Sequence, residues 1–388
     1  MEKGMSKYSY ILMLGHVSSD LTQGALPALL PFLILYSDLN YTMAAGLVFA
    51  NSAMSSVVQP LFGYLGDRKA MPWLMALGVF FAGAGFALVG FMDSYPAMFA
   101  AVLVSGTGVA LFHPEGGKNS NIFAGKNIGR GMGLFGAGGN IGFAAGPIIL
   151  VAAMALFGMK GTTVFALIGI VVSVVILASL KKMNPVIEGH RASQESKKET
   201  GESLDDWSGF IRSMVVVFGR SVVHYGLLVF IPLYWIAVFL QTEAAGSSVL
   251  SLLSGVSIVA TIVGGHVADR FGLRKTVRIA TFLFMPLLIM LLLIKSVLVG
   301  TILIIPIAFC LNGPYGAMLA LGQQCLPNKV GLASGISLGL SVSIGGMFSP
   351  AIGKVADLFG LNTAFYLIIA VVLLMIIFSI LLPKEKAA

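Results

Sequence analysis

Two acidic residues stand apart from the rest of this chain. Of the sixteen aspartates and glutamates, nearly all fall in polar loops or tails, whereas Asp20 and Glu115 lie within long apolar stretches. His16, Asp20 and Gln23 are spaced i, i+4, i+7, so a helix carries all three on one face. Arg220 and His224, four apart, sit at similar depth in another apolar stretch. A carboxylate, a guanidinium and two imidazoles in this pattern suit anion binding coupled to proton transfer. Arg220 stays protonated and holds an anionic or strongly polar group, Asp20 takes up a proton, and the histidines relay it. The alternative is a static Asp20–Arg220 ion pair that moves no proton. His113 and Glu115 flank Pro114 beside Lys118. They form either an inner proton access or gate contact, or an interfacial salt bridge.

The elements that must hold these residues are membrane helices. An ionisable group at the bilayer centre costs about 2.5–3.5 kcal/mol on the mildest scales, so it is kept only where a partner or a wet cavity accepts it. The chain has 388 residues, of which 57% are apolar and only 10% charged, with mean hydropathy +0.94. A soluble domain carries about 25% charged residues. A bilayer core of roughly 30 Å needs about 20 apolar residues per helix, and twelve such stretches are predicted near 8–36, 43–65, 72–92, 95–117, 128–157, 161–181, 208–240, 245–267, 276–295, 297–326, 329–358 and 361–383. The first is too long for a secretory signal and lacks a small-residue cleavage site, so it reads as an uncleaved span. Asp20 lies about twelve residues into it, or about 18 Å at 1.5 Å per residue, close to midplane.

The net charge of +8 is a topology signal rather than a nucleic-acid footprint. With both termini in the cytoplasm, all lysines and arginines except Lys160, Lys295, Lys354 and Arg220 fall in inner loops or tails, Lys3, Lys384 and Lys386 included. A multi-pass protein of a bacterial inner (plasma) membrane is expected. Cys310 and Cys325 lie too far apart along one predicted helix to bridge, and no Cys/His cluster suggests zinc. No phosphate loop, His-Glu-x-x-His or Gly-x-Ser-x-Gly pattern is present, so ATP-driven pumping and hydrolytic chemistry have no basis. No cofactor is expected, only a proton as coupling ion.

The chain also repeats itself. Gly63, Asp67 and Arg68 return as Gly265, Asp269 and Arg270, shifted by 202; Pro114 and Gly116 return as Pro314 and Gly316, shifted by 200; Gly142 and Pro147 return as Gly345 and Pro350, shifted by 203. Two six-helix halves follow, residues 1–181 and 207–388, joined by a polar cytoplasmic linker over 182–206 that has room for a short surface helix. Paired halves around a midplane site are a common plan of secondary transporters.

The repeated loop carries a resemblance. Gly63-Tyr-Leu-Gly-Asp67-Arg68-Lys69 and Gly265-His-Val-Ala-Asp269-Arg270-Phe271-Gly272-Leu-Arg274-Lys275 resemble the Gly-x-x-x-Asp-Arg-x-Gly-Arg/Lys-Arg/Lys loop of the major facilitator superfamily. The second copy is nearly complete, while Ala70-Met71-Pro72 cuts the first short. Gly138-Gly139-Asn140-Ile-Gly142-Phe-Ala-Ala-Gly146-Pro147 is similar to the Gly-x-x-x-Gly-Pro motif of that superfamily's exporters. The usual helix-4 arginine is missing, since Val102 stands four residues before Gly106. Gly15-His16-Val-Ser-Ser-Asp20-Leu-Thr-Gln23, Phe112-His113-Pro114-Glu115 and Arg220-Ser221 with Phe230-Ile231-Pro232 resemble the fosmidomycin-resistance branch of drug exporters.

The resemblance implies an all-α integral membrane fold of twelve helices in two pseudo-symmetric six-helix halves, working by alternating access. Helices 1 and 7 would then line one aqueous cavity, bringing His16, Asp20, Arg220 and His224 together, with Asn140, Asn312 and Tyr315 as further cavity candidates. Asp67, Arg68, Asp269, Arg270, Arg274 and Lys275 would form gating contacts that break and remake. A proton-coupled antiporter exporting small toxic compounds is implied. An importer or facilitator of a small organic anion or sugar is the alternative, and a receptor or assembly factor is a remoter one. The expected partners are a small-molecule substrate, anionic or strongly polar, and the bilayer; no nucleic acid is expected, and a monomer suffices.

Overall fold

The computed structural model describes residues 5–36, 39, 41–199 and 204–383, and among these there is no strand. Lys3, Lys384, Lys386 and residues 200–203 of the expected linker lie outside the described residues. The helices are α1 (Tyr8–Tyr36), α2 (Tyr41–Arg68), α3 (Trp73–Val89), α4 (Tyr95–Ala124), α5 (Ile128–Phe157), α6 (Thr163–Glu199), α7 (Trp207–Ala237), α8 (Glu243–Phe271), α9 (Leu273–Leu293), α10 (Val297–Asn312), α11 (Tyr315–Cys325), α12 (Val330–Gly335), α13 (Ser341–Phe359) and α14 (Leu361–Ile380). A π-helical turn, Ile336–Leu340, joins α12 to α13. Counting α10–α11 and α12–α13 as one span each, the described helices make twelve spans. Among the described residues, eight helical segments are long and apolar enough to cross a membrane, one of them, Ile128–Glu199, running through both α5 and α6. Large apolar side chains such as Ile148, Leu156 and Leu298 stay at least 70% exposed, as lipid-facing positions do.

Two expectations change. The span expected over 297–326 is broken at Gly313–Pro314, because proline has no N–H to continue the ladder, so Cys310 and Cys325 fall on different helices. The polar stretch after residue 181 continues α6 to Glu199. Lysine, glutamate, alanine and glutamine are good helix formers, Met183 and Ile187 are buried, and Arg191 pairs with Glu195 one turn on at 2.9 Å.

The chain packs as two compact units. Unit 1 comprises Met1–Gly125, Leu134–Asp205 and Pro327–Leu340; unit 2 comprises Lys126–Gly133, Asp206–Leu326 and Ser341–Ala388. Residues 126–133 thus fall in unit 2 and residues 327–340 in unit 1. The repeated loop aspartates account for both. Asp67 accepts the amides of Gly331 and Leu332 at 2.7 and 2.9 Å, holding the first turn of α12 in unit 1. Asp269 accepts those of Gly129 and Arg130 at 2.6 and 3.0 Å, holding the first turn of α5 in unit 2. A carboxylate on free N–H groups at a helix start satisfies both the hydrogen bonds and the dipole.

In unit 1 the glycines of α5 set its distance from α1. A Cβ on Gly138 or Gly142 would stand 2.6 Å from the carbonyl oxygen of Met13 or Val17, and one on Gly146 would collide with Leu21 O. Small residues four apart thus let two backbones meet, as membrane helices do where no hydrophobic effect drives them together. The core beside them is apolar, with Leu21, Ala25, Leu29, Phe86, Val102 and Leu150 buried.

Candidate functional site

Asp20 lies in unit 1 between two imidazoles. Its carboxylate oxygens stand 3.2 Å from His16 Nε2 and 3.2 Å from His113 Nε2, and the two Nε2 atoms are 3.1 Å apart. All three residues are buried, with exposures of 4%, 3% and 5%. His16 comes one turn before Asp20 on α1, while His113 reaches across from α4. On α5, Gly139 faces the cluster with backbone alone, since a Cβ there would come within 2.8 Å of both Asp20 Oδ2 and His16 Nε2. The Phe135 ring stacks on His16 at 4.1 Å, and the Gln23 amide donates to Asp20 Oδ1 at 2.9 Å.

The far sides of the rings fix their protonation. His16 Nδ1 is 2.6 Å from Phe135 O and His113 Nδ1 is 2.8 Å from Val109 O. A carbonyl only accepts, so each Nδ1 carries hydrogen and each Nε2 offers a lone pair inward. Bare, the centre would hold two ring lone pairs against a carboxylate in a dry environment. It needs a cation, and a proton is the simplest one.

Sequence reasoning puts His113 with Glu115, and the structure separates them. Residues two apart on a helix lie about 200° round the axis at 3.6 residues per turn, a signal the sequence already held. Glu115 is buried on the other side, 3.5 Å from Lys118 Nζ and accepting from Asn119 Nδ2 at 3.2 Å. Lys118 also donates to Gly66 O at 2.7 Å and lies 3.7 Å from Asp67, which makes it the hub of this network.

Arg220 and His224 belong to unit 2, and His16 and Asp20 to unit 1. Arg220, 7% exposed, donates from Nε to Leu311 O at 3.3 Å and from Nη2 to Asn312 Oδ1, and its guanidinium lies 4.2 Å from the Tyr315 ring centre. Asn312 is fully buried and donates to Ser257 Oγ at 2.7 Å. Ser257 is a site residue that the sequence did not single out. Among the described residues of unit 2, the partners of Arg220 are the neutral Leu311 carbonyl, Asn312 amide and Tyr315 ring. His224 Nδ1 is buried with no hydrogen-bond partner among the described residues. Asn140 is half-buried on α5.

The loop arginines pack locally. Arg68 stacks on Tyr64 at 4.5 Å, and its carbonyl accepts from Arg191 Nη2 at 2.7 Å. Arg270 and Lys275 lie 5.5 and 6.0 Å from the Phe271 ring. Arg274 donates to Ile380 O at 3.4 Å, at the carbonyl end of α14. Gly63 meets the Gly331 backbone, and Gly265 meets that of Gly129.

The family model of the Major Facilitator Superfamily matches residues 12–350. The chain is 25% identical over 380 residues to the fosmidomycin resistance protein of Escherichia coli (strain K12), covering 97% of this chain and 92% of that protein. It is 26% identical over 392 residues to the uncharacterized MFS-type transporter YfnC of Bacillus subtilis (strain 168), covering 99% and 95%. Among solved structures, the transporter FucP in the outward conformation matches with a TM-score of 0.75 at 13% identity, over 98% of this chain and 99% of that one. The likeness to FucP is one of fold.

Proposed function

Because this chain belongs to the Major Facilitator Superfamily, and is a multi-pass membrane transporter rather than an enzyme, we propose that it is a proton-coupled antiporter exporting small toxic or drug-like compounds. The observation that carries this reading is the His16–Asp20–His113 cluster, whose convergent lone pairs demand a cation that they can also release. Proton uptake and release occur at this centre. Arg220, a buried cation without a carboxylate partner in its own unit, takes the anionic or strongly polar part of the substrate. The two loads are linked through the alternating-access cycle, so that carrying one disfavours carrying the other.

The Gly142–Gly146–Pro147 motif on α5 and the relative named for fosmidomycin resistance both support export. The protein works as a monomer in a bacterial inner membrane with both termini cytoplasmic. Reconstituted vesicles test the proposal. A pH gradient drives uphill substrate movement through the wild type, and Asp20→Asn exchanges substrate only downhill. Uphill movement by Asp20→Asn with undiminished proton dependence would remove the basis of the reading.

A further inference from the structure

We propose that His16, Asp20 and His113 form a binding site for one divalent transition-metal ion, of the zinc or cobalt type. Their donor atoms all lie within 4.8 Å of one another. Two imidazoles and a carboxylate are the ligand set of such ions, whereas magnesium and calcium prefer oxygen alone.

The spacing fits a single ion. Metal–ligand bonds of about 2.0–2.1 Å place neighbouring ligand atoms about 3.0–3.4 Å apart around one centre. Here the two Nε2 atoms are 3.1 Å apart, and each faces its own Asp20 oxygen at 3.2 Å, His16 facing Oδ2 and His113 facing Oδ1. One proton bridges one of these three contacts at a time. An ion at the centre takes all the inward lone pairs at once.

The outer contacts are those a metal site needs. Each histidine binds metal through the nitrogen opposite the one that donates to protein, and Phe135 O and Val109 O hold both Nδ1–H groups. Gln23 orients the carboxylate through Oδ1. The rings are fixed on helices rather than loops, and Gly139 leaves the α5 side open to the ligand atoms. With one carboxylate oxygen turned to each ring, two nitrogens and two oxygens offer four donor atoms to the ion.

The experiment uses full-length protein purified without a polyhistidine tag, treated with chelator and titrated with Co²⁺. One Co²⁺ binds per chain and gives visible ligand-field bands. His16→Ala and His113→Ala remove the bands, Gln23→Ala weakens binding about 10-fold as loss of an outer contact does, and His266→Ala, at an exposed position, leaves them unchanged. X-ray absorption at the zinc edge of the wild type shows scattering from two imidazoles, a reading that no misfolded variant affects. Absence of one-to-one binding, bands that persist in His113→Ala, or a zinc spectrum of oxygen ligands alone would overturn the proposal. None of these readouts involves transport, so the site stands or falls apart from the antiporter reading.

Discussion

His16 Nε2 and His113 Nε2 face each other at 3.1 Å across the Asp20 carboxylate, although 97 residues separate them in the chain. With both Nδ1 atoms committed to carbonyls, the pair holds a proton only on the inward side. His113→Ala therefore removes one of the two imidazole acceptors beside Asp20 and weakens uphill transport, while His16→Ala also loses the stacked contact with Phe135. Initial rates at several external pH values check this. A wild-type pH profile in His113→Ala would contradict it.

Arg220→Lys keeps the charge but loses the planar stack on Tyr315 and the fork shared by Leu311 O and Asn312 Oδ1. Hydrogen bonds to charged groups contribute about 1.5–3 kcal/mol, so substrate affinity falls by about 10- to 150-fold. Ligand-induced shifts in melting temperature measure it, and Arg220→Ala abolishes the shift.

Asn312→Leu strands Arg220 Nη2, while Arg220 Nε keeps Leu311 O and the Ser257 hydroxyl keeps its bond to Leu253 O. An unmet buried polar group costs about 1–3 kcal/mol. The variant melts earlier in detergent even without ligand, and Ser257→Ala, which leaves the bonds of Arg220 in place, melts nearer the wild type.

On α5, Gly142→Ala sets a methyl 2.6 Å from Val17 O and forces α1 and α5 apart, at about 1–3 kcal/mol for overpacking. Gly189→Ala on α6 meets nothing within 4 Å and stabilises by about 0.5–1 kcal/mol through helix propensity. Thermal unfolding in one detergent compares the two, and opposite signs are expected.

Asp67→Ala exposes the amides of Gly331 and Leu332, and Asp269→Ala those of Gly129 and Arg130. Loss of such a cap costs about 0.5–2 kcal/mol. Hydrogen exchange rises at residues 330–333 in the first variant and at 128–131 in the second.

What the sequence disclosed depends on the range of the interaction. Hydropathy marks the spans because lipid acts on every residue of a helix, and i, i+4 spacing placed His16 beside Asp20 because both ride one helix. The partnership with His113 was hidden, since adjacency to Glu115 suggested another role and only the packing of α4 on α1 reveals its direction. The packing of 126–133 and 327–340 turns on two carboxylates reaching chain segments 140 and 264 residues away, at distances no local pattern encodes. Composition allowed a short surface helix in the linker after residue 181, but not its continuity with α6 to Glu199.

At Gly139, α5 presents main chain to the Asp20 carboxylate, and nothing larger fits. That wall has no side chain to mutate, so sequence drift cannot retune the centre from this direction. Any adaptation of its chemistry must come through the rings on α1 and α4 or through the amide of Gln23, which leaves evolution few handles on this cluster.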